Sequence, residues 1–142
     1  MPQSTRIDGE MIQAYLDTAY RAFGKPPLSL RIGETDAVLV SMHRRHRVDC
    51  SAFITACNPY SRPLNQAANR VRHQALVREL RQMGLAFTGG IGQHPANHWP
   101  SEQSLLVFGL GLEAAKVLGH RHEQNAVVWN DASGTPALIL LR

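Results

Sequence analysis

A continuous apolar run, Phe53-Ile54-Thr55-Ala56-Cys57, stops at Asn58-Pro59-Tyr60-Ser61, and Asn69 and Arg72 follow on the next helical stretch. Amide, hydroxyl and guanidinium groups placed where a helix should be apolar make a poor core and a plausible site. On a helical wheel of about 100° per residue, Leu76, Leu80 and Met83 define a buried side. Asn69 continues that side toward the N-terminus, flanked by Arg72 and His73. Helix N-termini carry unsatisfied N–H groups and a partial positive charge, so Asn58, Ser61, Asn69 and Arg72 would together suit a phosphate or carboxylate. An architectural reading has equal weight: Asn69 ties down the turn at 58–61, and Arg72 pairs with an internal acid such as Glu102.

A second cluster, His94, His98, Trp99, Glu102 and Ser104, holds the minimum for acid–base work. Glu102 and Ser104 are two apart at a strand start and so share a face. A carboxylate on an otherwise apolar strand face is desolvated, which raises its pKa. The commoner fate of such a Glu is to accept an arginine fork or to cap loop N–H groups. A third set contains His120, His122, Gln124 and Trp129. Gln124 precedes an interior strand and would project beside Glu102, while Trp129 would stack a base or, more ordinarily, close a core edge. No metal site or cofactor is expected: the His pairs are close in sequence, but Pro95 spoils the helical geometry of His94 and His98, and no Cys pair or His-Glu signature completes a set. Gly89-Gly90-x-Gly92 lacks the Lys-Ser/Thr of a phosphate loop.

The elements that must position these groups follow from pattern. Asp8 is a helix N-cap, with Ile7 and Ile12 as a hydrophobic staple. Ile12, Tyr15, Leu16, Ala19, Tyr20 and Phe23 then fall on one helical stripe, closed by Gly24 and the prolines. Residues 28–32 read as a short edge strand. The stretch 36–46 is open between helix and strand and leans to a helix capped by Thr35 or Asp36. Residues 52–57 read as a strand covered on both faces, stopped by Asn58-Pro59. A long helix over 64–83, strands over 86–91 and 104–110, a short helix over 112–118 and a terminal hairpin over 125–129 and 136–141 complete the chain. The fold class is α+β: one domain over 1–142, with a mostly antiparallel sheet of four to five strands. An N-terminal helix and two further helices pack on it. The N-terminal part, 7–46, is helical, and the motif-bearing α+β part covers 51–142.

Composition bounds the rest. The 142 residues are 44% hydrophobic, enough for one real core. No signal peptide or membrane span is expected, and a reduced cytosolic protein is the default, with Cys50 and Cys57 unpaired. The formal net charge is +4, from 15 basic and 11 acidic residues, and only Lys25 and Lys116 are lysine. Arginine offers a planar fork that matches phosphate and stacks on bases, although genome composition explains the bias equally well.

The set Phe-Ile-Thr-Ala-x-Asn-Pro-x-Ser at 53–61, Asn69, Trp99-Pro100-x-Glu102-x-Ser104, Leu118-Gly119 and Gln-Asn-Ala-x-x-Trp at 124–129 resembles a bacterial family of uncharacterised domains, known only as a domain of unknown function. A looser similarity is to barnase/colicin/RelE-like ribonucleases, small α+β domains that act without metal through scattered Arg, His, Glu and Ser groups. That similarity implies an RNA-binding, endoribonuclease-like protein. Glu102, His98 and His73 would move protons, Arg72 and its neighbours would hold phosphate, and Trp99 or Trp129 would stack a base. The alternatives are a non-catalytic module for a small anionic ligand, nucleotide or carboxylate, and an interaction protein whose polar motif is purely structural. The partner class expected is RNA or another phosphate-bearing ligand, not a membrane.

Overall fold

The computed structural model describes residues 5–24, 26–94 and 101–142. Its elements in chain order are α1 (Gly9–Asp17), β1 (Ala19–Ala22), β2 (Leu28–Leu30), α2 (Ala37–Arg45), β3 (Ser51–Ile54), a 3-10 turn (Pro59–Ser61), α3 (Gln66–Gln82), β4 (Phe87–Gln93), β5 (Glu102–Phe108), α4 (Leu112–Arg121), β6 (Ala126–Asn130) and β7 (Pro136–Leu140). The strands form one antiparallel sheet in the order β2-β1-β4-β5-β3-β6-β7. The architecture is therefore α+β, with seven strands rather than four to five and four helices rather than three among the described residues.

One strand that the pattern did not mark, β1, comes from the N-terminal stripe. Asp8 caps α1 as expected, its side chain accepting from the Glu10 N–H. The helix stops at Thr18, whose N–H turns back to the Tyr15 carbonyl. From there Tyr20 and Ala22 point inward and Arg21 outward, a period of two that a helical stripe also tolerates over so few residues. The part over 7–46 thus contains a hairpin as well as two helices. The second of these is α2, which settles the open stretch as a helix capped by Asp36 on the Leu39 N–H.

Strands β3, β5 and β6 lie in the middle of the sheet and bury both faces. Ala52, Ile54, Leu105, Val107 and Val127 meet Leu76 and Leu80 of α3 and Ala115 and Leu118 of α4 on one side. On the other, Phe53, Leu106, Phe108 and Val128 meet Leu39 and Met42 of α2 together with Tyr20, Leu28 and Leu30. His43 of α2 is fastened there by Ser51 Oγ at 2.7 Å, which also accepts from Asn130 Nδ2 at 2.9 Å.

The second cluster requires a curled sheet. Strands β1 and β3 are separated by β4 and β5, which in a flat sheet is roughly 14 Å at about 4.8 Å per strand. The rings of Tyr20 and Phe53 nevertheless meet edge to face at 5.3 Å between centroids. Gly90 makes this possible: a Cβ there would sit 2.4 Å from the Arg21 carbonyl and 2.9 Å from the Phe53 ring. The Gly89-Gly90-x-Gly92 run is thus where the sheet bends. Among the described residues, no helix is long and apolar enough to cross a membrane.

Candidate functional site

Along the face that carries Phe53, Leu106 and Val128, each central strand changes character toward one end. Leu106 gives way to Ser104 and Glu102 on β5, Phe53 to Thr55 after β3, and Val128 to Ala126 and then Gln124 before β6. In the sheet register Tyr20, Gly92 and Glu102 lie side by side on β1, β4 and β5. Gly92 has no side chain, so a cavity of about 100 Å³ opens between Tyr20 and Glu102. Met11, Ala14, Tyr15 and Thr18, from α1 and its C-cap, line it from the helical side, and Asn58, Ser61 and Pro63 from the turn after β3.

That turn is strained. Pro59 keeps Asn58 out of the right-handed helix, and Asn58, Tyr60 and Ser61 all adopt positive φ, at 50°, 53° and 60°. Asparagine tolerates this conformation better than most residues, and here its side chain is used on every side. Asn58 Oδ1 accepts from the Leu64 N–H at 3.0 Å and from Asn69 Nδ2 at 2.8 Å, and Asn69 Oδ1 accepts the Asn58 N–H at 2.9 Å. The remaining group, Nδ2, donates to Glu102 Oε2 at 3.0 Å. Asn69 therefore ties down the turn at Asn58 and stands behind the cavity lining rather than in it.

Arg72 has a different role from the one its position predicts. Its Nε donates to the Ala56 carbonyl at 2.6 Å and one terminal nitrogen to the His122 carbonyl at 2.7 Å. The other lies 3.4 Å from Glu123. The acid it pairs with is Glu123 rather than Glu102, and the guanidinium ties β3, α3 and the end of α4 together. The helix start is likewise occupied: α3 begins at Gln66, and Asn65 caps it by accepting the Ala68 N–H.

Glu102 is the chemical centre of the cavity. Burial raises its carboxyl pKa above the usual range, and the Asn58 amide opposes only part of that. Tyr20, its neighbour across Gly92, is also pushed up, first by burial, and its hydroxyl donates to the Tyr15 carbonyl at 2.7 Å. Ser104 Oγ turns back to the Glu102 carbonyl. Gln124 Nε2 donates to the Cys57 and His122 carbonyls at 3.2 and 3.0 Å. Asn125 Nδ2 reaches Tyr15 Oη and Ser61 Oγ, which are themselves 2.5 Å apart.

Of the residues singled out from sequence, Asn58, Ser61, His94, Glu102, Ser104 and Gln124 line one cavity. Asn69 and Arg72 support it from behind. His73 and Trp129 do not line it. His73 is half-buried on α3, its pKa lowered by burial, and Trp129 packs on the α3/α4 side with Nε1 on the Leu110 carbonyl. His98 and Trp99 lie outside the described residues. Sequence reasoning missed Tyr15, Thr18, Tyr20 and Asn125 as lining residues, whereas His94, named there in the acid–base cluster, does line the cavity. Among the described residues no cluster of His, Cys, Asp and Glu has the makings of a metal site.

Fold and site together define an α+β domain whose curled antiparallel sheet carries a cavity of mixed apolar and polar lining, with the Glu102 carboxyl in it. The chain belongs to the family described as Protein of unknown function (DUF3293), whose model matches residues 54–127, just over half of its length. That segment runs from the end of β3 into β6 and contains Asn58, Asn69, Arg72, Glu102, Ser104 and Gln124. No curated protein and no solved structure matches the chain.

Proposed function

We propose that the protein acts through this cavity on a small polar molecule, with Glu102 as the group that gives or takes a proton. One observation carries the reading. A carboxyl group is held by an amide in a largely desolvated cavity, which brings its pKa toward the range where a carboxyl can act as acid or base at ordinary pH. The strained turn that presents Asn58 supports it, since such strain concentrates at functional sites. The cavity residues come from β1, β4, β5, the 3-10 turn and α1, which fits a site built by the whole fold. The two free thiols fit a reduced bacterial cytosol as the setting.

The test uses Gly92→Val, a substitution whose Cβ has only ordinary contacts, 3.8 Å to Thr18 and 3.9 Å to Tyr20. It fills the cavity floor without crowding the backbone. A panel of small polar compounds of both charges is screened by melting temperature. A compound at about 100 times its Kd stabilises the wild type by about 2.7 kcal/mol and leaves Gly92→Val unmoved. A panel that shifts neither protein, or shifts both alike, rejects the cavity as the working site.

A second reading, metal-independent RNA cleavage, draws on the presence of Glu102 and His94 in the same lining and on the arginine-rich composition. With Arg72 engaged by carbonyls, phosphate contact there falls to exposed arginines such as Arg62, beside the cavity residues Ser61 and Pro63. The measurement is binding and cleavage of a mixed RNA pool at low salt with EDTA. Cleavage lost in Glu102→Gln while binding persists supports this reading, and absence of binding by the wild type removes it.

A further inference from the structure

The hydrogen-bonding valences left in the cavity identify the kind of molecule that fits it. Amide orientations are fixed by obligatory partners. Gln124 Nε2 faces the Cys57 and His122 carbonyls, which can only accept, so both of its hydrogens are used there. Its Oε1 has no hydrogen-bond partner among the described residues. Asn58 Oδ1 faces the Leu64 N–H, which can only donate, so Nδ2 must face Glu102.

Other donors are spent in the same way. Tyr20 gives its hydroxyl hydrogen to Tyr15, Ser104 to the Glu102 carbonyl, Thr55 to the Gln103 carbonyl, and Asn125 its amide hydrogens to Tyr15 and Ser61. What remains is mostly acceptors: Glu102 Oε1, which has no partner among the described residues, Gln124 Oε1, and the lone pairs of Tyr20 and Ser104. Among the described residues, the donors left beside these are one hydrogen of Asn58 Nδ2 and one hydroxyl hydrogen of the Tyr15–Ser61 pair. Among the described residues, no arginine or lysine lines the cavity, and Glu102 is the carboxylate in it.

We infer that the occupant is a small nitrogen compound that donates two or more N–H hydrogen bonds to Glu102 and Gln124: an amidinium, a guanidinium or an amino-substituted heterocycle. Buried acceptors without donors cost free energy, as does a buried carboxylate without a counter-charge, and such a group relieves both. A phosphate or a carboxylate would meet acceptors and a like charge instead. This inference rests on the small-molecule reading above and narrows its chemistry.

The experiment titrates acetamidine, cytosine, inorganic phosphate and acetate into 15N-labelled wild-type protein at neutral pH and follows amide shifts around Glu102 and Gln124. Acetamidine or cytosine is expected to give saturable shifts there, and phosphate and acetate none. Glu102→Gln should weaken acetamidine by about tenfold or more, since a charge-assisted hydrogen bond is lost. Acetamidine stays cationic throughout, so its affinity for the wild type should fall on acidification as Glu102 takes up a proton. Saturable binding of phosphate or acetate at these residues, with no binding of the nitrogen compounds, overturns the inference and keeps the cavity as a ligand site. Shifts from none of the four probes, together with a failed compound screen against Gly92→Val, overturn both.

Discussion

Asn58 takes part in five hydrogen bonds, three through its side chain, one through its N–H and one through its carbonyl, and two of them go to Asn69. Asn69→Ala removes both at once and leaves the Asn58 N–H and half of its Oδ1 capacity without a partner. The expected loss is about 1–3 kcal/mol in urea unfolding, with the Glu102 region of the spectrum disturbed as well. An unchanged midpoint would mean that the pair is incidental. Two titratable groups, the half-buried Glu102 and the buried His43, set opposite pH slopes. The Glu102 carboxyl is raised from its ordinary 4.5 by burial, so the folded state holds that proton more tightly than the unfolded chain. Its contribution is full below 4.5 and is lost as pH rises through the folded value. The His43 imidazole is lowered from 6.5, again chiefly by burial, so its contribution is full above 6.5 and is lost as pH falls through the folded value. The difference in stability between Glu102→Gln and wild type should therefore move in favour of the variant with rising pH above 4.5 and then level off. A difference that stays flat across this window would show that the Glu102 proton is held alike in both states.

Glycines decide the shape of the element that matters most, β4. Gly90 and Gly92 face the same way two residues apart, yet a side chain would meet different surroundings at each. At Gly90 a Cβ runs into the Arg21 backbone and the Phe53 ring, while at Gly92 it meets only ordinary contacts. Gly90→Ala should cost about 1–3 kcal/mol by forcing β1 off β4, and Gly92→Ala should be nearly neutral. Thermal melts of the two variants give the comparison, and equal losses would mean that the bend does not depend on Gly90. This contrast also marks the limit of what sequence pattern discloses. The apolar run ending at Asn58-Pro59, the polar interruption at Asn69 and the shared face of Glu102 and Ser104 are local signals, and they led to the cavity. Arg72 was visible as an inward cation, but its partners are carbonyls at the ends of distant elements, which carry no side-chain signature. Tyr20 was placed on a helical stripe because a four-residue strand after a helix satisfies both periods. The bend over Gly90 depends on β1 and β3 meeting across two intervening strands, and no pattern within either strand records that.

At the scale of the molecule the two faces of the sheet are built unequally. The face under α3 and α4 is closed by a continuous apolar cluster from Ala52 to Val127. The opposite face is packed by a closed apolar cluster under α2, and toward Glu102 it opens into a cavity of mixed lining beneath α1, a helix with Ala14 as its one buried residue. Leu16 of α1 is 37% exposed, so the helix contributes little apolar area to hold it in place. Local opening free energy follows buried apolar contact, and the two halves should separate on that basis. Amides of α3 and β5 should exchange with solvent at rates near those set by global unfolding. Amides of α1 should exchange through a much smaller opening. On the reading proposed above, a ligand held by Glu102 of β5 and Gln124 before β6 would lie against Tyr15 and Thr18 on the α1 side, so it should slow α1 selectively while leaving α3 unchanged. Hydrogen exchange read by mass spectrometry, with and without acetamidine, measures both effects. Protection of α1 equal to that of α3 in the free protein would mean that the helix belongs to the core rather than to the site.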